Sequence, residues 1–501
     1  MSVKAFAPWF VFILGLPGLV FGDLIYVAAT SDDGGNGQSW EFAYNDLQSA
    51  LNNCSPNDTI WVAEGIYRPG NDREDHFTLV DSVVMLGGFR GDESNHIQRD
   101  PRTYITKLCG NIGDSLDVTD NAFHVVYVHS ETFLSPVTQL DGFHISNGYA
   151  NGDFSSGWGG GLFIGSGSPI IRDCTFENNS AIHGGAIHVD SDSALFKQVT
   201  IKDNYAFQGG GGVNLQGNVG TRFLDSSFDN NTSQRYGGAI AIDLASATFM
   251  RCEFIFNRAI EDNGGAISNY TFAHPLLINC SLYGNTAMQG GSIWSGGADV
   301  TIINSILWNN QPTEIFGGFE VSVLHSDIQG GAAGEANIAA DPEFLNPSLG
   351  DLQLASASPC VDAGIDVYVR DGDTLIYLLP TDYHGLAPDM GANESPYTSS
   401  NVDAQPMLPS DLHMHQNHPN PFNPATRIRY WVPDKALVSL IIYDLLGNEV
   451  TRLFENIKLP GSYEIQWDGH DSDGKPVVSG VYVARLQSGD ITHSMKLTCL
   501  Q

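Results

Sequence analysis

Three polar residues recur at matching positions of the chain and could act on a ligand together. Asp190, Gln216 and Asp243 lie 26 and 27 residues apart, each at the end of a short aliphatic segment. If each step is one layer of strands stacked about 4.8 Å apart, the two carboxylates lie about 9.6 Å apart, close to the spacing in inverting glycosidases. His188 projects beside Asp190 on the same face. A solvated acidic sheet explains the same residues, so we predict no catalytic residue and keep His188, Asp190 and Asp243 as candidates for a ligand surface.

A second set of matching positions changes from charged to apolar along the chain. Its members are Glu177, Lys202, Asp229, Ile255, Tyr283 and Trp308. Trp294 adds another outward-facing indole nearby. Because exposed aromatic rings stack against sugar rings, Tyr283, Trp294 and Trp308 are candidates for glycan contact. Packing of a later segment over these side chains explains the same pattern.

These positions belong to a repeat of 25 to 27 residues. An aliphatic residue follows each of a series of glycine pairs, at Leu162, Ile187, Val213, Ile240, Ile267 and Ile293. A second column runs in step and ends in Asn179, Asn204, Asn231, Asn257, Asn285 and Asn310. This period fits one coil of a parallel β-helix, in which equivalent residues stack above one another.

The repeat also predicts what each position does in a coil. Alternation points Ile187 and Val189 inward and His188 and Asp190 outward. Glycine pairs mark a corner that needs positive φ or close backbone approach, and asparagine amides can bond to one another along a ladder. One continuous interior column is predicted from Phe176, Ile201, Phe228, Phe254, Leu282 and Leu307.

The segment SWEFAYNDLQSALNN before the repeats has apolar residues at helical spacing. Trp40, Tyr44, Leu47 and Leu51 fall on one helical face. Because an uncovered coil presents unpaired backbone to other strands, we expect a helix here to cover the open end of the stack.

Composition and the first residues indicate an exported protein. The 501 residues exceed the about 250 to 300 that one core usually holds, and a formal net charge of −34 makes nucleic acid an unlikely partner. Lys4 precedes an apolar run that ends before Gly22, which is the layout of a secretory signal peptide. We predict a secreted mature protein without a transmembrane segment.

Neither the cysteines nor the acidic motifs indicate a metal or cofactor. The 7 cysteines are too irregularly spaced for a disulfide scaffold or a zinc site, and Cys174, Cys252 and Cys280 are expected to form a buried thiol stack. The sequence DGHDSDG at 468–474 lacks the glutamate that would complete an EF-hand loop. It is interpreted as a polar hairpin turn.

The first four hundred residues resemble a known architecture. The segments DLQSALNNCSPNDTIWVAEGIYRP, FTLVDSVVMLGGFRGDE and LDGFHISNGYANG resemble bacterial right-handed parallel β-helix proteins with pectin-lyase-like architecture. The GGAI and FxxN units are similar to those of chlamydial polymorphic outer-membrane proteins. DPEFLNPSLGDLQLASASPCVDAG looks like the closing module of such surface proteins. The lysine, arginine and clustered-aspartate patterns of degrading relatives, and their NTD, DD and GHG signatures, do not occur in residues 150–330.

The C-terminal region has a different residue pattern. Alternating strands follow a polar, proline-bearing segment, with Tyr430, Ile442, Trp467 and Tyr482 available for a core. HPNPFNPAT, IIYDLLGNEV and WDGHDSDGKPVVSGVY resemble the sorting domains of the type IX secretion route in the Bacteroidetes and related phyla. That resemblance implies an immunoglobulin-like fold and the secretion machinery as a partner.

We therefore predict an all-β chain, a right-handed parallel β-helix solenoid followed by a small immunoglobulin-like β-sandwich. Its expected function is that of a secreted or cell-surface, non-catalytic, adhesin-like protein that contacts an extracellular glycan. The alternative is a polysaccharide lyase or glycoside hydrolase of the same architecture. The expected segments are a signal peptide (1–22), an N-terminal cap with the first coils (23–150), repeat coils (151–330), a closing module (331–397), a linker (398–411) and the sorting domain (412–501).

Overall fold

The computed structural model forms two compact units, Met1–Ser399 and Ser400–Gln501. It describes residues 22–500 apart from 129–133, 191–192, 218–219, 271, 298, 318–320, 371–372, 399–411, 415–416, 418, 433–435, 445–446, 459–460 and 490. Apart from residues 22 and 398, the predicted signal peptide and linker lie outside the described residues.

The first unit is a right-handed parallel β-helix whose coils run through four sheets in turn. Within each sheet, strands of successive coils pair in parallel. Sheet 1 contains the strands Leu24–Val27, Thr59–Ala63, Val84–Phe89, Gln139–Asp141, Ile170–Arg172, Leu195–Lys197, Gly220–Leu224, Ser246–Met250, Leu276–Ile278, Val300–Ile303 and Val321–Leu324. Sheet 2 contains Gly65–Tyr67, Thr106–Cys109, Phe143–Ser146, Thr175–Glu177, Thr200–Lys202, Ser227–Asp229, Glu253–Ile255, Ser281–Tyr283, Ile306–Trp308 and Asp327–Ile328.

Sheet 4 completes the coils, and sheet 3 is present in five of them, between residues 149 and 259. Sheet 3 contains Tyr149–Ala150, Ser180–His183, Tyr205–Gly209, Thr232–Ser233 and Arg258–Ala259. Sheet 4, which carries the GGAI units, contains Phe77–Thr78, Val126–Val128, Leu162–Ile164, Ile187–Asp190, Val213–Gln216, Ile240–Asp243, Ile267–Asn269, Ile293–Ser295 and Ile315–Gly317. The predicted fold is confirmed.

Each corner is turned by one residue in the left-handed region. Between sheets 1 and 2, positive φ values of 48° to 55° stack at Asp173, Gln198, Asp225, Arg251, Asn279 and Asn304. Between sheets 3 and 4 the first glycine of each pair does the turning, as at Gly237 with φ 65°. The second has no room for a side chain, since a Cβ on Gly238 would lie 2.1 Å from the Gly265 oxygen. Both reasons for the glycine pair therefore operate, each at one residue.

A buried ladder of asparagines runs along the corner between sheets 2 and 3. The backbone N–H and the Nδ2 of each asparagine both donate to Oδ1 of the next, as from Asn231 to Asn257 at 3.0 Å each. The last, Asn310, donates instead to the carboxylate of Glu314, from N at 3.1 Å and from Nδ2 at 2.6 Å. The predicted ladder is confirmed, and its carboxylate end was not foreseen.

The interior consists of apolar columns that run along the sheets, with two of them inside sheet 4. The six residues predicted to stack inside sheet 2 are each at most 1% exposed and in register. The rings of Phe228 and Phe254 stack at 4.6 Å between centroids. Each such side chain stabilises the fold by roughly 1.5–3 kcal/mol through burial. Cys174, Cys252 and Cys280 are buried, free thiols.

The helix at the open end is shorter than predicted. It spans Leu47–Asn53, because Asp46 caps it by accepting from the N–H groups of Gln48 and Ser49. Tyr44 precedes the helix, and its backbone pairs with Tyr26 instead. The helix buries Leu47 and Leu51 over the first coil as expected. Short 3-10 helices occur at Trp40–Phe42, His96–Gln98, Val118–Asp120, Phe154–Gly157 and Pro347–Leu349.

The predicted closing module, residues 331–397, folds back along the outside of sheets 1 and 2, where Ile376 packs against Ile303 of sheet 1 and Leu354 against Ile306 of sheet 2. It contains two hairpins, Phe344–Asn346 with Asp351–Leu354 and Val367–Arg370 with Asp373–Tyr377. Among the residues that the structure describes, no helix combines the length and apolar composition needed to cross a membrane.

The second unit is an antiparallel sandwich with its own core. The strands His413–Met414, Thr426–Val432 and Gly461–Trp467 form one sheet, and Glu449–Lys458, Ala436–Tyr443, Gly480–Ser488 and Ile491–Cys499 form the other. Tyr430, Ile442, Trp467 and Tyr482 are buried in one cluster, as predicted. In the DGHDSDG turn, Asp471 Oδ1 accepts from the N–H groups two and four residues later.

Candidate ligand-binding site on the outer face of sheet 4

The outward acidic column of sheet 4 has the predicted register. Asp190 pairs with Gln216 and Gln216 with Asp243 on successive coils. The two carboxylates therefore stand two coils apart on one face, and both side chains are half-buried. Tyr270 continues this column, since its N–H donates to the Ile242 oxygen of the preceding coil at 2.8 Å.

His188 does not lie on the solvent-exposed surface that we expected. Its exposed fraction is 0%. The ring stacks against Trp158 at 4.8 Å and Phe163 at 5.4 Å between centroids, both in the preceding coil, and Nδ1 lies 3.0 Å from Nδ2 of Asn214 in the next coil. Burial, followed by the nearby histidines, lowers the pKa of His188 to about 3. His188 is thus a neutral member of an aromatic stack, because bulky residues occupy the neighbouring coils.

Farther along the same face, an aromatic row stands beside Asp243. The ring centroids of Tyr236 and Tyr270 are 5.2 Å apart, and those of Tyr270 and Trp294 are 5.1 Å apart. Gly296 allows the indole to fold down onto the coil, since a Cβ there would lie 2.0 Å from the Trp294 ring. The row therefore presents three half-buried rings on consecutive coils.

Small side chains lie beneath this row. Ala241 and Ser268 precede Trp294 in the outward column, and both are buried, at 5% and 0% exposed. At one side, Arg235 lies over the Tyr236 ring at 5.1 Å and pairs with Asp262 at 3.7 Å. Burial raises the pKa of the Tyr270 hydroxyl further above its ordinary value, so this group is neutral at physiological pH. The face combines apolar ring surface with polar groups at its border, which is the chemistry that sugars need.

Sequence reasoning missed Tyr236 and Tyr270. Tyr236 lies before a glycine pair, at a position that is Trp158 and His183 in two other repeats, and Tyr270 follows the last strand residue of its coil. The sequence could have indicated them only because both tyrosines lie roughly one or two repeat lengths before Trp294.

The aromatic residues of sheet 2 have a different environment. Tyr283 packs against Phe344 of the closing module at 5.9 Å between ring centroids. Trp308 packs against a cluster that includes Ile306, Leu354 and Met390. The packing explanation therefore holds for Tyr283 and Trp308, and of the three predicted aromatic residues Trp294 is the one on an uncovered face.

Comparisons with known proteins match separate parts of the chain. A family model described as the Chlamydia polymorphic membrane protein repeat matches residues 173–190 and 225–243, which include Asp190 and Asp243. A model described as the FlgD Ig-like domain matches residues 425–490. The crystal structure of pectate lyase Pel9A aligns with 75% of this chain and 98% of its own, at 14% identity and a TM-score of 0.45. No curated protein matches the chain.

Proposed function

We propose that this is a secreted or cell-surface β-helix protein that contacts an extracellular glycan through the outer face of sheet 4. The row of Tyr236, Tyr270 and Trp294 beside Asp243 carries the proposal. Aromatic rings supply apolar contact to sugar faces, and the neighbouring carboxylate accepts bonds from hydroxyls. The likeness of two coils to a repeat named for membrane proteins supports a surface location.

A glycan array probed with the full chain tests this face. Trp294→Ala should strongly weaken the binding of glycans that the unchanged protein captures. Phe207→Ala removes a 40% exposed ring on sheet 3 and serves as the matched control. Equal loss in both variants, or no loss in Trp294→Ala, would contradict the proposed face.

We propose that the C-terminal unit is a sorting domain that the secretion machinery binds, and not a ligand site. Its core is complete within residues 412–499, so folding needs no help from the solenoid. Deleting residues 412–501 should leave the thermal unfolding of the solenoid nearly unchanged, while the protein accumulates inside the cell envelope. Normal arrival of the truncated chain at the surface would remove the sorting assignment.

The alternative function, a lyase or hydrolase of polysaccharides, rests on the Asp190 and Asp243 carboxylates two coils apart. Release of reducing ends or of unsaturated products from a panel of acidic and neutral polysaccharides would favour it, provided that Asp190→Asn and Asp243→Asn each abolish the activity. Binding without turnover would favour the non-catalytic function.

A further inference from the structure

A polar groove of about 330 Å³ lies on a different side of the solenoid from the aromatic row. It follows the corner between sheets 1 and 2 across three coils. One end is bounded by Arg102, in the loop between two early strands, and the other by Asn393 of the closing module. Its size is at the lower end of the range for small-ligand sites, about 300–1,000 Å³.

The floor of the groove is a fixed array of hydrogen-bonding groups. Thr200, Ser227 and Glu253 stack in one outward column of sheet 2. Beside them, Arg251 Nε donates to Asp225 Oδ1 at 2.5 Å across neighbouring coils. These side chains stand on rigid strands and corners, so their spacing follows from the coil rise.

Much of the hydrogen-bonding capacity in this groove is unused. The Arg102 guanidinium makes no hydrogen bond or ion pair with any residue that the structure describes, and Arg251 uses only Nε. Glu253 Oε1 accepts from Asn393 Nδ2 at 2.7 Å. Its Oε2 accepts from no described residue. Arg102 is exposed and the Arg251 side chain is 37% exposed, so water solvates their free N–H groups, and a ligand with hydroxyl groups can replace that water.

Charge in the groove is close to balanced. Arg251 faces Asp225 directly and Asp382 at longer range. Burial, together with Asp351 and Asp229, raises the pKa of Glu253, while the Asn393 amide opposes the shift. The groove therefore offers both donors and acceptors without a strong excess of either sign, and none of its lining residues is aromatic.

We propose that this groove is a second carbohydrate subsite, which binds the hydroxyl groups of a sugar segment while the aromatic row binds sugar ring faces. Vicinal hydroxyls are donors and acceptors at once, and they match an array of guanidinium, carboxyl and amide groups better than a purely anionic or apolar ligand does. The proposal rests on the glycan-binding function proposed above. It places two chemically different contacts on separate sides of one solenoid.

Two groove variants of the full chain test the subsite. Arg102→Ala removes an exposed guanidinium without a side-chain partner, and Glu253→Gln keeps the shape and the bond from Asn393. The control is Arg90→Ala, whose guanidinium pairs with Asp92 outside the groove. The probe is an array of neutral and uronate-containing oligosaccharides, followed by titration calorimetry with the best glycan. Each groove variant should weaken binding by about 3- to 10-fold, the effect of one or two hydrogen bonds, with an unchanged melting temperature, and Arg90→Ala should not.

The outcomes separate the two proposals. If Trp294→Ala abolishes binding and neither groove variant changes it, the subsite is refuted and the aromatic face stands. If the groove variants weaken binding and Trp294→Ala does not, the subsite stands and the aromatic face is refuted. Absence of binding to every glycan on the array overturns both. Equal weakening of neutral and uronate sugars by Arg102→Ala supports hydroxyl recognition, whereas an effect confined to uronates overturns it in favour of charge recognition.

Discussion

The outer faces of sheets 2 and 4 are built by the same coils and end in different environments. On sheet 2 the outward column becomes apolar toward the C-terminus, and the closing module buries it, so that Ile306 is 0% exposed. On sheet 4 the outward column also becomes aromatic at Trp294, whose ring packs on Tyr270 of the preceding coil, and no ring of the described part of the closing module contacts it. An outward aromatic residue on a solenoid therefore does not by itself indicate a ligand surface, because the segment that follows the repeats decides which face stays open.

The largest effect is expected beneath both faces, where they share one interior. Phe254 stacks on Phe228 and is fully buried. Phe254→Ala should lower the free energy of unfolding by about 3–5 kcal/mol through lost burial and a residual cavity. Chemical denaturation of the full chain measures this. A loss below about 1 kcal/mol would mean that the coils repack freely, and the two faces would then not share a rigid support.

The covered face should behave as core. Ile306→Ala should cost about 2–4 kcal/mol, because the truncated side chain leaves a cavity under Leu354 and Met390. Denaturation midpoints compared with those of the unchanged protein give the value. A cost near that of a surface substitution would show that the closing module is only loosely attached and that the comparison between the faces is wrong.

The stability of the buried corner between sheets 2 and 3, where the asparagine ladder ends, should depend on pH through Glu314. Burial raises the pKa of this carboxyl to about 7, against hydrogen bonds from Asn310 that lower it. The folded state then holds the proton more tightly than the unfolded chain. The resulting destabilisation is absent below the pKa of an ordinary glutamate, about 4.5, and it is complete above about pH 7. Its upper limit is about 3 kcal/mol.

Glu314→Gln keeps an oxygen for Asn310 and removes the titration. The stability difference between the variant and the unchanged protein should grow in favour of the variant as pH rises from about 4.5 to 7. The stability difference between the two proteins removes the contributions of other carboxyls whose pKa is also raised, such as Glu394, because both proteins contain them. A difference that does not change with pH would show that Glu314 titrates normally.

The smallest effect on stability is expected on the open face. Trp294→Ala should cost about 1 kcal/mol or less, since it removes one ring contact with Tyr270 at a half-buried position. Ile306→Ala and Trp294→Ala together form the test. The first should lose much stability and keep glycan binding, and the second should keep its stability and lose glycan binding. The opposite pattern would exchange the roles of the two faces.

The sequence predicted the coil because the constraints that build it recur at every step. The interior column, the asparagine ladder and the acidic column of sheet 4 follow from one period, and any error in register would have moved all of them together. The burial of His188 could not be predicted in this way. It depends on Trp158 and Phe163 in neighbouring coils, and alternation says which way a side chain points but not what covers it.

The closing module posed a related problem. Its contacts join residues far apart in sequence, such as Asn393 and Glu253, which are separated by 140 positions. No period links such residues, so the covering of Tyr283 and Trp308 remained one of two alternatives. The groove at Arg102 was missed for the same reason, because its ends come from segments outside the repeat.

The hydrogen bonds of the asparagine ladder all run in one direction along the solenoid. Each asparagine presents one oxygen to the coil before it and two N–H groups to the coil after it. A duplicated coil with the same asparagine can therefore be inserted between any two others without leaving an amide unsatisfied. Both carboxyl oxygens of Glu314 accept from Asn310, so the series of amide-to-amide hydrogen bonds ends at this residue. We therefore expect that gain or loss of a whole coil carrying the asparagine, between Asn179 and Asn310, leaves the ladder itself satisfied.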